Sequence, residues 1–129
     1  MKFSQSELMA ILHLAKSMLL ADGKIDPGNE YFILYNEFMR FGLDPGHIES
    51  LLTKVDELEP AKAIEVVSRI DEERKKDVTA FLAGLLAADH KIHDQELALW
   101  KLISRVCQLP TMDLQEAISM CPILDSLKL

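Results

Sequence analysis

The chain has 129 residues, of which 49% are hydrophobic and 6% aromatic, and its formal net charge is −7. This length suits one domain with a sizeable core, and the negative charge argues against broad binding to nucleic-acid phosphates or to an anionic membrane. Apolar residues recur at helical spacing, whereas no alternating β-branched or aromatic run predicts a strand. We therefore predict an all-α fold.

The first predicted helix runs from about Gln5 to Ala21. Ser4 and Glu7 have the spacing of a capping box, and apolar residues follow at intervals of three and four. Gly23 fits the left-handed position that closes a helix. This apolar stretch contains His13 and Lys16 and is shorter than the roughly 20 residues of a membrane span.

A second helix is expected after Asp26 and Pro27, which are typical of a helix start, and it ends near Gly42. Its expected core-facing residues are Tyr31, Phe32, Leu34, Tyr35, Phe38 and Met39. Shorter helices are predicted from Asp44-Pro45 and from Pro60. A longer one follows Asp71, and its charged beginning, Glu72 to Lys76, is interpreted as solvated.

The last two predicted helices complete a total of about seven. One runs from about Asp94 to Val106 or Gln108, and its predicted apolar positions are Leu97, Trp100, Leu102, Ile103 and Val106. Pro110 ends it, and the final helix begins after Thr111 or Asp113. Cys107 and Cys121 form no CxxC motif, so two free, buried thiols are expected, with a disulfide as the alternative.

Two corners between long helices repeat one short sequence. LLADGKI at residues 19–25 returns as LAADHKI at residues 86–92. Each half reads as long helix, corner, long helix and short helix. We predict one domain with two similar halves, about residues 1–56 and 57–129, that form a pseudo-two-fold helical bundle.

The first corner contains candidate cation ligands. Asp22, Asp26 and Glu30 can converge with Asn29 and backbone carbonyls, and such oxygens suit calcium or magnesium. The corner is not an EF-hand, because the sixth position counted from Asp22 is Pro27 instead of glycine.

The second corner has a different set of candidate ligands. Asp89, Asp94 and Glu96 are joined there by His90 and His93. Imidazoles shift the preference of a site toward zinc, nickel or manganese. A small hydrolase built on the two histidines would also need a metal with an open coordination position.

The same corners have a purely structural interpretation. Asp22 and Asp89 each precede the start of a helix, where free amides favour a carboxylate. The side chains of Ile25 and Ile92 would then pack in the core and anchor the corners. Glu96 can accept a hydrogen bond from a cap amide. The residues alone leave both interpretations open.

The segments ADGKIDPGNE and AADHKIHDQE resemble the paired signatures of the TerB-like domain. That family includes tellurite-resistance proteins and the N-terminal domain of a membrane-anchored DnaJ-type co-chaperone. The resemblance covers nearly the whole chain and implies about seven helices with internal pseudo-symmetry. It also implies non-enzymatic roles in stress resistance, with the signature acids clustered on one surface and proposed to bind metal.

The chain matches the two TerB-like signatures only in part. The first signature is matched at Asp22, Gly23, Ile25 and Asp26, and the second at Asp89, Ile92 and Glu96. The first signature's glutamate is expected seven residues after its aspartate, where this chain has Asn29 followed by Glu30. In the second, His90 replaces glycine and His93 replaces an acid.

From these features we expect a non-enzymatic, acidic TerB-like module of a tellurite- or stress-resistance system, without catalytic residues. No nucleotide-binding loop, GxSxG or HExxH motif is present. The expected cofactor is a divalent cation, calcium or magnesium before zinc or manganese, and the expected partner is a protein, with a homodimer open. The alternative is a ligand-free scaffold or oligomerisation domain whose corners are only caps. The start lacks a signal-peptide layout, so a bacterial cytoplasmic location is expected.

Overall fold

The computed structural model describes residues 2–20, 29–88 and 94–121. Seven α-helices lie in these ranges: α1 Gln5–Leu19, α2 Asn29–Arg40, α3 Pro45–Lys54, α4 Pro60–Ser68, α5 Glu72–Ala87, α6 Asp94–Val106 and α7 Leu114–Ser119. A 3₁₀ turn, Val55–Glu57, joins α3 to α4. No strand occurs among the described residues, so the predicted all-α single domain is confirmed.

Four of the predicted helix starts, those of α1, α3, α5 and α7, form with side-chain caps. The Ser4 hydroxyl accepts from the Glu7 amide, and the Glu7 carboxylate accepts from the Ser4 amide. Asp44, Asp71 and Asp113 cap α3, α5 and α7 by accepting an amide hydrogen bond three residues on. These bonds satisfy amides that have no partner within the helix, which is why short-range sequence signals located the starts.

The core lies around α1 and α5. Helix α1 packs against α4, α5 and α6, while α5 also packs against α2 and α7. Four aromatic rings join the N-terminal segment, α2 and α5, with neighbouring centroids 4.9–6.2 Å apart. The rings belong to Phe3, Phe38, Phe41 and Phe81. None of the helices in the described ranges is long and apolar enough to cross a membrane.

The first long helix of each half buries equivalent positions. Helix α1 corresponds to α5, with matching residues 67 positions apart. The matched buried pairs are Leu8 with Lys75, Ile11 with Val78, Leu12 with Thr79, Leu14 with Phe81, Ala15 with Leu82, Met18 with Leu85 and Leu19 with Leu86. Across the halves α1 packs on α6 and α2 packs on α5, an exchange typical of a pseudo-two-fold arrangement.

Matching residues of the second long helices, α2 and α6, are 66 positions apart in the sequence. This spacing is one residue shorter than the 67 that separates matching residues of α1 and α5. Gly42 and Gln108 both follow their helices with positive φ, 108° and 56°. The Leu43 amide donates to the Phe38 carbonyl at 3.0 Å, and the Leu109 amide donates to the Ser104 carbonyl at 2.9 Å. The stretch between matched positions of the two long helices is therefore one residue longer in the first half.

Several predicted core positions are wrong. Phe32, Met39, Leu102 and Val106 are 39–52% exposed, because α2 and α6 each turn only one face toward the rest of the bundle. The solvated interpretation of residues 72–76 is also wrong in part. Lys75 is buried, and its ammonium donates to the Gln108 carbonyl at 3.2 Å. That carbonyl lies just after the end of α6, where a cation is favourable.

Candidate functional site

The candidate ligands fall into two groups with respect to the structure. Asp22, Asp26, Asp89, His90 and His93 lie outside the described residues. The remaining four candidates begin the second long helix of each half. Asn29 and Glu30 lie in the first turn of α2, and Asp94 and Glu96 lie in the first turn of α6.

Glu96 is a buried carboxylate beside the second corner. Only 2% of it is exposed, whereas Asp94 in the same turn faces solvent. Burying a carboxylate is costly unless it is hydrogen-bonded or paired, and Glu96 does have an interaction partner. Its position in the first turn is favourable because the free amides there carry partial positive charge. The fold therefore holds a buried carboxylate in the first turn of α6.

Glu30 is the counterpart of Glu96 in the first half. The two residues are 66 positions apart, which is the spacing that matches Leu34 with Trp100, and also Phe41 with Cys107, at buried positions. The departure at Asn29 thus has a structural reason, because the longer stretch in the first half moves the glutamate one residue along. Both second long helices carry a glutamate at the same position.

The donor chemistry at the two corners fits divalent cations to different degrees. The first candidate set holds only oxygen ligands, which hard cations prefer. The second adds His90 and His93, which favour transition metals. Within residues 2–20, 29–88 and 94–121, no group of three or more His, Cys, Asp or Glu side chains is arranged to hold a metal. Any cation site at the corners therefore needs the aspartates or histidines outside those ranges.

Glu37 in α2 is a second buried carboxylate, only 1% exposed, that was not predicted from the sequence. The Arg40 guanidinium donates to both of its oxygens, and the Cys121 thiol donates to Oε1 at 3.4 Å. The hydrogen bond to Glu37 raises the pKa of Arg40 above its ordinary value. A sequence signal was present, because Glu37 lies four residues after Ile33 on the apolar face of α2.

The Glu37 group stabilises the fold and is not a second candidate site. Asp77 of α5 lies between Arg40 and Lys2, at 4.0 Å and 2.9 Å from their nitrogens. This group therefore links the N-terminal segment, α2, α5 and Cys121, which lies two residues after α7. Each carboxylate faces a cation, so the arrangement satisfies buried polar atoms locally.

One solved structure similar to this chain is that of PG1108, a protein of unknown function from Porphyromonas gingivalis W83. The two chains are 45% identical, the match covers 99% of this chain and 98% of the other, and the TM-score is 0.79. No protein-family model matches the chain, and no curated protein matches it. The relative shows a shared fold and family and supplies no activity.

Proposed function

Because this chain belongs to the same family as PG1108, whose function is unknown, we propose a function from the chain's own residues. It is a non-enzymatic, TerB-like module of a stress-resistance system, of the tellurite-resistance type, that binds divalent cations at its two corners. The observation that carries this proposal is the buried Glu96, with Glu30 at the equivalent position of the other half. Glu96 is buried although Asp94 in the same turn is exposed, and both second long helices place a glutamate at this position.

The proposed ligands follow the duplicated signature. Asp22, Asp26 and Glu30 hold the first cation, with Asn29 as a further oxygen ligand. Asp89 and Glu96 hold the second, and Asp94, His90 and His93 are available beside them. Carboxylate oxygens make calcium or magnesium the expected ion, and zinc or manganese the less favoured ones.

The cation has a structural role in this proposal. It supplies positive charge that neutralises clustered acids in a chain of net charge −7. The corner aspartates and the following glutamate come from both sides of a helix junction, so binding links the two long helices of a half. The surface around each cation-bound corner is then the surface that a protein partner binds.

A non-enzymatic role is supported by the environments of the two described histidines. His13 Nδ1 lies 3.2 Å from the Val55 carbonyl oxygen, inside the contact between α1 and the 3₁₀ turn. His47 Nδ1 lies 2.9 Å from a carboxylate oxygen of Asp44, the residue that caps α3. Both rings therefore serve local packing or capping, and neither is paired with a nucleophile.

The test is a titration of metal-stripped protein with calcium, magnesium, manganese and zinc, followed by amide NMR. We expect saturable shifts centred on residues 22–30 and 89–96. Glu30→Gln should weaken the first site and Glu96→Gln the second, each by about tenfold or more, because a ligand charge is lost. Glu73→Gln is the matched control, since Glu73 is an exposed first-turn glutamate of α5. Absence of saturable shifts at millimolar metal would refute cation binding.

A ligand-free scaffold or oligomerisation domain is the second candidate, and the chain's use of aspartate favours it. Asp44, Asp71 and Asp113 cap three helices by accepting backbone amide hydrogen bonds. If the corners serve only as caps, Asp22→Ala and Asp89→Ala each lower the free energy of unfolding by about 1 kcal/mol. The metal titration of the wild type would then show no saturable shifts, so the two candidates give opposite results in that experiment.

A further inference from the structure

A groove lies between the second half of α6 and the segment that leads to α7. Its volume is about 550 Å³, within the range of small-molecule sites. Trp100, Lys101, Ser104 and Arg105 line it from α6, and residues 108–112 form the other wall. We call this feature the α6–α7 groove.

The α6 wall of the groove carries two polar atoms that lack a hydrogen-bond partner. The Trp100 indole Nε1 and the Ser104 hydroxyl are both buried and both unpartnered. Trp100 as a whole is only 5% exposed. An indole N–H can only donate, and buried polar groups are normally satisfied. A ligand whose acceptor atoms displaced the atoms that cover these two groups would supply what they lack.

The rim of the groove is positively charged. Lys101 and Arg105 are four residues apart on α6, so they share one face of the helix, and neither joins the ion pairs found among the described residues. Lys75 adds a cation behind the far wall through its bond to the Gln108 carbonyl, and its nearest carboxylate is Glu72 at 3.9 Å. In a chain of net charge −7, this surface favours an anion.

The residues that line the groove from α6 differ from those at the matching positions of the other half. The residues 66 positions earlier than Trp100, Lys101, Ser104 and Arg105 are Leu34, Tyr35, Phe38 and Met39. The connection also differs, because three residues, 110–112, separate Leu109 from the cap Asp113, whereas Leu43 directly precedes the cap Asp44. The fold alone therefore does not require this cationic surface, and the second half has acquired it through its own residues.

We propose that the α6–α7 groove binds a small organic anion, with a carboxylate or phosphate head on an apolar body. Arg105 and Lys101 hold the anionic oxygens, since a guanidinium fork and an ammonium suit either head group. The apolar body contacts Trp100, Leu109 and Met112. This site is independent of the corner acids, so it stands whether or not the corners bind a cation.

The experiment uses the chain's single tryptophan, which lines the groove. Octanoate, octyl phosphate and octanol are titrated against the full chain while Trp100 fluorescence and the indole N–H resonance are recorded by NMR. We expect saturable changes with one or both anions and none with octanol. The preferred anion identifies the head group, carboxylate or phosphate.

Charge variants decide whether the rim is the binding surface. Arg105→Gln and Lys101→Gln should each weaken binding about tenfold, the effect of losing one charge-assisted hydrogen bond. Arg69→Gln, which removes an exposed arginine of the same charge at the end of α4, should leave affinity unchanged. The proposal is overturned if neither anion shifts the indole resonance at millimolar concentration, if octanol binds equally well, or if Arg105→Gln binds like the wild type.

Discussion

Glu7 shows how one side chain serves both a helix start and a long-range contact. Its carboxylate accepts from the Ser4 amide at 2.8 Å and from the Arg74 guanidinium at 2.8 Å. Burial by itself raises the pKa of Glu7, but the hydrogen bonds from Arg74 and from the Ser4 backbone outweigh it, so the pKa lies below its ordinary value. The capping half of this arrangement was predictable, because Ser4 and Glu7 are neighbours in sequence. The partner in α5 was not.

Replacing Glu7 should alter the acid stability of the protein. A carboxyl whose pKa is lower in the folded state stabilises that state above the unfolded pKa, and the contribution is lost as the pH falls through the folded pKa. The wild type should therefore lose more stability than Glu7→Gln as the pH falls from about 5 to 3. Urea unfolding across this range measures the difference.

The matched control for Glu7 is Glu116→Gln, which changes an exposed first-turn glutamate of α7. It should follow the wild-type dependence of unfolding free energy on pH. If Glu7→Gln and the wild type lost the same stability over this range, the carboxylate would not be held by Arg74 in solution.

At the scale of elements, α5 depends on a glycine in its interior. Glycine in a helix costs up to about 1 kcal/mol relative to alanine, so Gly84 has no local rationale. The packing supplies one, because a Cβ built on Gly84 would lie 2.6 Å from Sγ of Cys121, just beyond α7. The close approach of α5 to this segment is thus the reason for the residue.

We expect Gly84→Ala to destabilise the protein despite its better helix propensity. Overpacking of this kind typically costs about 1–3 kcal/mol. The gain in helix propensity is at most about 1 kcal/mol, so the net effect is destabilising over most of that range. In a Cys121→Ala background the clash is removed, and the same substitution should become neutral or stabilising. Chemical denaturation of the four proteins in this double-mutant cycle measures the coupling. Equal effects in both backgrounds would show that the Cys121 contact is not what selects glycine.

At the scale of the whole molecule, the two halves bury each other's apolar faces. Helix α1 packs on α4 and α6, and α2 packs on α5, so each half loses packing partners of its long helices when it is separated from the other. The charge contacts cross in the same way, since Arg74 meets Glu7 and Asp77 lies beside Lys2. Stability is therefore shared between the halves.

Fragments 1–58 and 59–129, cut between the 3₁₀ turn and α4, should be largely unfolded when separate. An equimolar mixture should recover helical circular dichroism, because α1 can again pack on α4 and α6. Placing Leu82→Asp, a charge at a fully buried position, in the second fragment should abolish recovery. Cooperative unfolding of either fragment on its own would contradict this interdependence.

The sequence by itself determined the helical class, the helix starts and the existence of two related halves. Caps, prolines and apolar spacing act over a few residues, and the structure has α6 from Asp94 to Val106 as the pattern predicted. Tertiary structure alone decided which face of α2 is buried, why Glu37 and Lys75 lie inside, and that Glu30 matches Glu96. It also created the α6–α7 groove. These features depend on groups far apart in the chain, and no local pattern encodes which helix will pack against which.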